Sequence, residues 1–196
     1  MILKKIKDKI FDLPLLFNTI RYILVGGKSR LNKEIFDAIK PKEDEKILDI
    51  GCGTCEFSEL INSKYIGIDL NKSFLKKAKK KFPDRILMEM DAKNINFGKK
   101  SFDKILMMNF LHHFSDEDCK IILNEAKMVL KNKIVIEDNI IPTKGFINKL
   151  LVKLDRGDYI RTKDQEIDLV KEFFKIGEIK TFKSGFYEFI VIIGHK

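Results

Sequence analysis

The stretch Ile47 to Phe57, ILDIGCGTCEF, carries residues for two different chemistries. Cys52 and Cys55 stand in a C-x-x-C spacing at the expected start of a helix, the arrangement of a thiol redox centre. Asp49, Gly51 and Gly53 instead form a strand-to-helix turn, where glycine clears the backbone for a nucleotide-like ligand. A dinucleotide pyrophosphate wants a further glycine at the sixth position, and this chain has the bulky, negative Glu56 there. Asp49, two residues ahead of the first glycine, suits a ligand with a positive, amine-bearing end. Asp69 closes the next apolar run, where a carboxylate can accept both hydroxyls of a ribose. In MEMDAKN, Asp91 can accept from an adenine amino group, with the Ala92 N–H as its neighbour. A fourth run, MMNFLHHF, contributes the polar Asn109.

These residues need a scaffold that brings several strand ends to one edge. Apolar runs predict strands at Lys46–Ile50, Tyr65–Asp69, Arg85–Met90, Phe102–Met108 and Lys133–Glu137. Helices are expected at Leu31–Ile39, Glu56–Ser63, Ser73–Phe82 and Asp116–Leu130. Short apolar strands alternating with helices predict a parallel sheet covered on both faces. A helix near Gln165–Phe174 precedes two strands, Glu178–Lys183 and Phe186–Ile193, joined by Ser184-Gly185 as a hairpin, so the last strand should run antiparallel. The expected fold is α/β: a Rossmann-like, mostly parallel sheet of seven strands with helices on both faces. Residues 1–45 read as an N-terminal helical cap, opened by a basic amphipathic helix (Ile2, Leu3, Ile6, Ile10) and broken at Pro14. Residues 46–196 read as the ligand-binding unit, with 139–163 as a basic insert on the substrate side, the whole forming a single structural domain.

A chain of 196 residues suffices for one buried core. No apolar run reaches the roughly 18–20 residues a membrane helix needs, so no integral membrane segment is expected and the location is read as cytoplasmic. Three cysteines make no disulfide framework, and His112, His113 and Cys119 are too scattered for a zinc site, so no metal is expected. The net charge of +9 is localised. Residues 1–33 carry 8 basic and 2 acidic side chains, 139–163 carry 6 and 2, and 34–138 balance at 19 each. Such an electropositive mouth fits an anionic substrate, a membrane surface or RNA, and equally a solvated lysine coat.

In order and spacing, ILDIGCGTCEF, YIGIDLNKSFLKKAKKKF, ILMEMDAKNINF, FDKILMMNFLHHF and KIVIEDN resemble the class I S-adenosylmethionine-dependent methyltransferases, in their small-molecule and quinone-type branch. The resemblance implies S-adenosylmethionine as cofactor. It places Asp49, Gly51, Cys52, Gly53 and Thr54 along the methionine end, Asp69 on the ribose with Leu70 against the adenine, Asp91 and Ala92 on the adenine edge, and Asn109 near the sulfonium. Cys55 stands where the family has a third glycine, so the C-x-x-C spacing reads as coincidental.

Methyl transfer is an in-line displacement, and a base is required only if the acceptor must lose a proton. His113 and His112 are the candidates. Arg30, Tyr159 and Arg161, from the two basic segments, are candidate acceptor contacts. Asn109-Phe110-Leu111-His112 lacks the proline box of base-flipping amino methyltransferases, and no cysteine is placed for carbon-5 pyrimidine chemistry. Three functions stand in this order: transfer to a small-molecule or lipid-like acceptor, transfer to RNA, and a cofactor-binding protein or partner subunit without transferase activity.

Overall fold

A computed structural model of the protein describes residues 27, 29–143, 145 and 157–196. The amphipathic helix expected at the N-terminus and residues 144 and 146–156 of the basic insert lie outside the described residues.

The elements run α1 (Ser29–Ile39), β1 (Lys46–Ile50), a 3-10 turn (Glu56–Leu60), β2 (Lys64–Asp69), α2 (Lys72–Lys81), β3 (Ile86–Glu89) and β4 (Phe102–Met108). A second 3-10 turn (Leu111–His113), α3 (Asp116–Val129), β5 (Leu130–Ile140), α4 (Lys163–Lys171), β6 (Lys175–Ser184) and β7 (Tyr187–His195) complete them. One seven-stranded sheet has the order β3-β2-β1-β4-β5-β7-β6. Strands β3, β2, β1, β4 and β5 are mutually parallel, and β7 runs antiparallel between β5 and β6. The Rossmann-like fold and its reversed last strand are as the sequence predicts.

Side chains alternate across the pleat, so each strand feeds two cores. Leu48, Ile50, Ile66, Ile68, Ile105 and Met107 pack with α3 and α4 on one face. Ile47, Tyr65, Leu106, Val135 and Phe189 pack with α1 and α2 on the other. Helix α1, assigned from sequence to the cap, thus covers the sheet through Leu31, Ile35, Ala38 and Ile39. Two lysines hold its last carbonyls: Lys104 Nζ donates to Lys40 O at 2.6 Å and Lys133 Nζ to Ala38 O at 2.7 Å. Cations at a helix C-terminus satisfy orphan carbonyls and oppose the dipole.

Two expectations change. Glu56–Ser63 is not a full helix but a five-residue 3-10 turn. Only eight residues separate Cys55 from β2, and the Arg85 guanidinium takes the carbonyls of Ser58 and Ile61 at 2.6 Å each. The loop therefore lacks the helix N-terminus that the sequence promised. Strand β5 is also longer than Lys133–Glu137, reaching Ile140, because β7 pairs with it through Ile140↔Glu188. Residues 139 and 140 accordingly belong to the sheet and not to the insert. At the end of the insert, Thr162 and Gln165 form a reciprocal capping box that starts α4, so Lys163 belongs to that helix.

Candidate active site

Parallel strands β1, β2, β3 and β4 deliver Asp49, Asp69, Asp91 and Asn109 to the carboxyl edge of the sheet, on either side of the point where strand order reverses. Open α/β sheets bind ligands in that crevice. Gly51 (φ 74°) and Gly53 (φ 53°) both take the left-handed backbone. A Cβ on Gly51 would stand 2.1 Å from the Phe110 ring, whereas beside Gly53 nothing lies within 4 Å. The loop is thus filled on one side and open on the other, as a ligand pressed against the backbone requires.

Cys55 is a third left-handed residue, at φ 62° and ψ 27°. With a Cβ this conformation costs about 1–2 kcal/mol. The buried Cys55 thiol donates to Tyr65 Oη at 3.1 Å, and Tyr65 Oη donates to Asp49 Oδ2 at 2.5 Å. Burial pushes the Asp49 carboxyl up to about 7, against the Tyr65 hydrogen bond, which favours the ionised form. Cys52 is half-buried and lies over Gly67, where a Cβ would come within 2.8 Å of its Sγ. Both cysteines are free thiols. Thr54 is half-buried, with Oγ1 3.4 Å from Glu56 Oε1.

Asp69 ties the loop to β2. Its Oδ2 accepts from the Gly53 N–H at 2.9 Å and its Oδ1 from the Asn71 N–H at 2.7 Å. A carboxylate offers about four lone-pair sites, so two remain for ligand hydroxyls. Leu70 next to it is 57% exposed, an apolar surface that a planar ring can cover. Asp91 Oδ1 accepts from the Lys93 N–H at 2.9 Å, and Ala92 is buried beside it. Asn109, left-handed at φ 49°, donates through Nδ2 to Glu137 Oε2 at 2.7 Å and through its backbone N–H to Glu137 O at 2.8 Å.

The two histidines separate. His113 is exposed, whereas His112 is 2% exposed and paired with the buried Asp138. Asp138 accepts from the His112 backbone N–H through Oδ2 at 3.0 Å and from ring Nδ1 through Oδ1. A carboxylate on Nδ1 leaves the lone pair on Nε2. That Nε2 is buried without a hydrogen-bond partner.

Of the three residues expected to touch the acceptor, Tyr159 comes nearest this pair: it is exposed, and its N–H donates to His112 O at 3.0 Å. Arg30 is exposed on α1, with its guanidinium 5.6 Å from the Phe182 ring centre. Arg161 is turned inward. It is 5% exposed and donates to Asp116 Oδ1 at 2.8 Å, Leu111 O at 3.2 Å, Phe114 O at 2.9 Å and Cys119 Sγ at 3.3 Å. Its side chain braces the turn that carries His112.

Sequence reading missed Tyr65, Glu137 and Asp138. Their signal was faint: Tyr65 opens an apolar strand, and Glu137-Asp138-Asn139 is a polar run on an otherwise apolar one. Among the described residues no cluster of three His, Cys, Asp or Glu side chains is arranged to hold a metal ion, and no helix is long and apolar enough to cross a membrane.

Residues 48–135 match the family model described as a methyltransferase domain. A demethylmenaquinone methyltransferase of Thermotoga maritima is 30% identical over 138 residues, 66% of this chain and 59% of that protein. A ubiquinone biosynthesis O-methyltransferase of Pelagibacter ubique is 32% identical over 61% of this chain and 52% of its own length. The chain therefore spans between half and two thirds of these relatives. In fold it is similar to the crystal structure of an S-adenosylmethionine-dependent methyltransferase from Methanosarcina mazei, with a TM-score of 0.69 at 22% identity, covering 83% of this chain and 96% of that one. Motif order, strand order and the matched domain agree: residues 48–135 carry a methyltransferase domain, and in fold the chain is similar to the class I S-adenosylmethionine-dependent methyltransferases.

Proposed function

We propose that the protein is an enzyme that transfers a methyl group from S-adenosylmethionine to a small-molecule or lipid-like acceptor of quinone type, attacking in line through a hydroxyl-activated position. The observation that carries this reading is the buried His112–Asp138 pair with an unpartnered Nε2, on the same carboxyl edge of the sheet as the strand ends that bear Asp49, Asp69 and Asp91.

The residues present fit the cofactor. Asp49 would take its ammonium end, the open side of Gly53 its close approach, Asp69 the ribose hydroxyls, Leu70 one face of the adenine, and Asp91 with Ala92 the adenine edge. Gly51, Cys52 and Thr54 complete the loop wall. When bound, S-adenosylmethionine supplies a methyl group on a positively charged sulfur. Glu137 fixes the Asn109 side chain at that end of the site. Asp138 holds the His112 ring with its buried Nε2 lone pair unpartnered, and an acceptor hydroxyl seated against Nε2 would give up its proton there, a role worth typically 10²–10⁴-fold in rate. Support for a quinone-type acceptor comes from the two relatives named above. The basic flanking segments, with lysine between Ile, Leu and Phe, suit an apolar molecule with an anionic group.

The test is transfer of label from methyl-labelled S-adenosylmethionine to short-chain demethylated quinols and to an extract of the source organism. Label in the organic phase is the expected result. Aqueous label released by ribonuclease would replace this acceptor by RNA, and cofactor binding without label anywhere would leave a non-catalytic protein.

A further inference from the structure

We infer that Tyr65 is the residue that sets recognition of the cofactor's amino-acid end: its hydroxyl orients the Asp49 carboxyl and locks the left-handed Cys55 of the glycine loop. The inference rests on the cofactor reading above and goes beyond it, since Tyr65 belongs to none of the glycine and acidic positions that carry the family resemblance.

Tyr65 is paired with Ile47 in the parallel register of β1 and β2, so it stands on the same face as Asp49, two residues further along. It is 3% exposed and Asp49 is 3% exposed, so neither polar group has bulk water to fall back on. A hydroxyl has one proton and two lone pairs. Tyr65 donates its proton to Asp49 Oδ2 and accepts from Cys55 Sγ, joining β1, β2 and the loop through one oxygen. The ring is held in turn by Arg85, whose guanidinium lies 5.5 Å from its centre while bonding the carbonyls of Ser58 and Ile61. The hydroxyl is therefore fixed before any ligand arrives, and the carboxyl it holds has one defined direction.

The arrangement also accounts for a cysteine where glycine is the easy choice. A side chain at that backbone conformation is strained, and the thiol recovers part of the cost through the phenol. Electrically, the phenol proton is what favours a charged Asp49. Burial opposes ionisation, as do Cys55 and Asp69, and the Cys52 thiol of the same loop also faces the carboxyl. Removing the phenol oxygen leaves a carboxyl that is harder to ionise and free to turn, and a weaker partner for an ammonium group.

The experiment compares two ligands by titration calorimetry. S-adenosylhomocysteine carries the amino-acid end, and 5′-methylthioadenosine keeps the nucleoside and thioether without it. Tyr65→Phe is expected to weaken S-adenosylhomocysteine about tenfold, the equivalent of about 1.4 kcal/mol, while 5′-methylthioadenosine changes less than about twofold. The pH below which S-adenosylhomocysteine binding is lost should move upward in the variant. Cys55→Gly, with Tyr65 still on Asp49, should lose about threefold at most. Equal loss of both ligands in Tyr65→Phe would reduce Tyr65 to a loop brace, no loss would remove it from recognition, and a Cys55→Gly loss as large as that of Tyr65→Phe would shift the role to the thiol. Each of these overturns the inference while leaving the cofactor reading standing. Failure of the unaltered protein to bind either ligand would overturn both.

Discussion

Asp138 grips His112 twice, taking the backbone N–H on one carboxylate oxygen and ring Nδ1 on the other. The two residues come from adjacent parallel strands, β5 and the turn after β4, so the sheet itself sets their distance. A ring held at backbone and side chain together has one orientation, and Nε2 points where the fold dictates. His112→Ala should lower kcat by 10²-fold or more with S-adenosylhomocysteine affinity nearly intact, and Asp138→Asn should follow it. His113→Ala should cost far less, because its ring is exposed, whereas that of His112 is buried against Asp138. Single-turnover methyl transfer measured beside cofactor binding checks this, and the opposite ranking would exchange the roles of the two histidines.

Asp69 serves loop and ligand together. Because it accepts the Gly53 N–H, Asp69→Ala removes a hydrogen bond of the loop as well as the proposed ribose acceptor. Loss of a charged acceptor is worth about 1.5–3 kcal/mol, or roughly ten- to a hundredfold in affinity. The chain should stay folded, since Asp69 is only half-buried. Calorimetric titration with S-adenosylhomocysteine and a thermal melt together decide it; full affinity in the variant would remove Asp69 from the site.

Arg161 lies in a small buried network with Glu166, whose carboxyl burial pushes up to about 8. Replacing Arg161 by Met would strip donors from two backbone carbonyls and from Asp116. Breaking a buried pair costs about 3–5 kcal/mol, discounted here because Asp116 is 67% exposed. A fall in Tm of about 5–10 °C is expected for a chain of this size. Lost activity at an unchanged Tm would instead return Arg161 to the acceptor site.

Asp49 carries a pH signature. Its carboxyl titrates near 7 when folded and near 3.8 when unfolded, so between those values the folded chain holds the extra proton. Stability contributed by this group falls as pH rises from about 4 to 7, the reverse of a salt-bridged aspartate. The difference in Tm between the protein and Asp49→Asn should therefore shift against the unaltered protein over that interval. Ligand binding runs the other way, strengthening toward pH 7 as the carboxylate forms. Parallel melts from pH 4 to 8, with and without S-adenosylhomocysteine, separate the two effects.

Strands β1 and β4 end where the sequence predicts, because each is followed directly by a residue that takes the left-handed backbone, Gly51 after β1 and Asn109 after β4. The glycine loop and the acidic residues at three strand ends were legible for the same reason: backbone conformation and charge at a strand end are properties of single residues. The missing helix after Cys55 was not legible, since local propensity over Glu56–Ser63 permits one. It is the Arg85 guanidinium, arriving from beyond α2, that takes its carbonyls.

What the sequence determined by itself was the fold class, the order of the units and the acidic, glycine-lined edge that marks the family. Only the tertiary structure chose between two adjacent histidines, turned Arg161 inward, and set Tyr65 between Asp49 and Cys55. Those relationships join residues 10 to 50 positions apart through hydrogen bonds formed in a buried interior. Sequence spacing encodes the period of a strand or a turn, but carries no record of which side chains a folded core brings within 3 Å of one another.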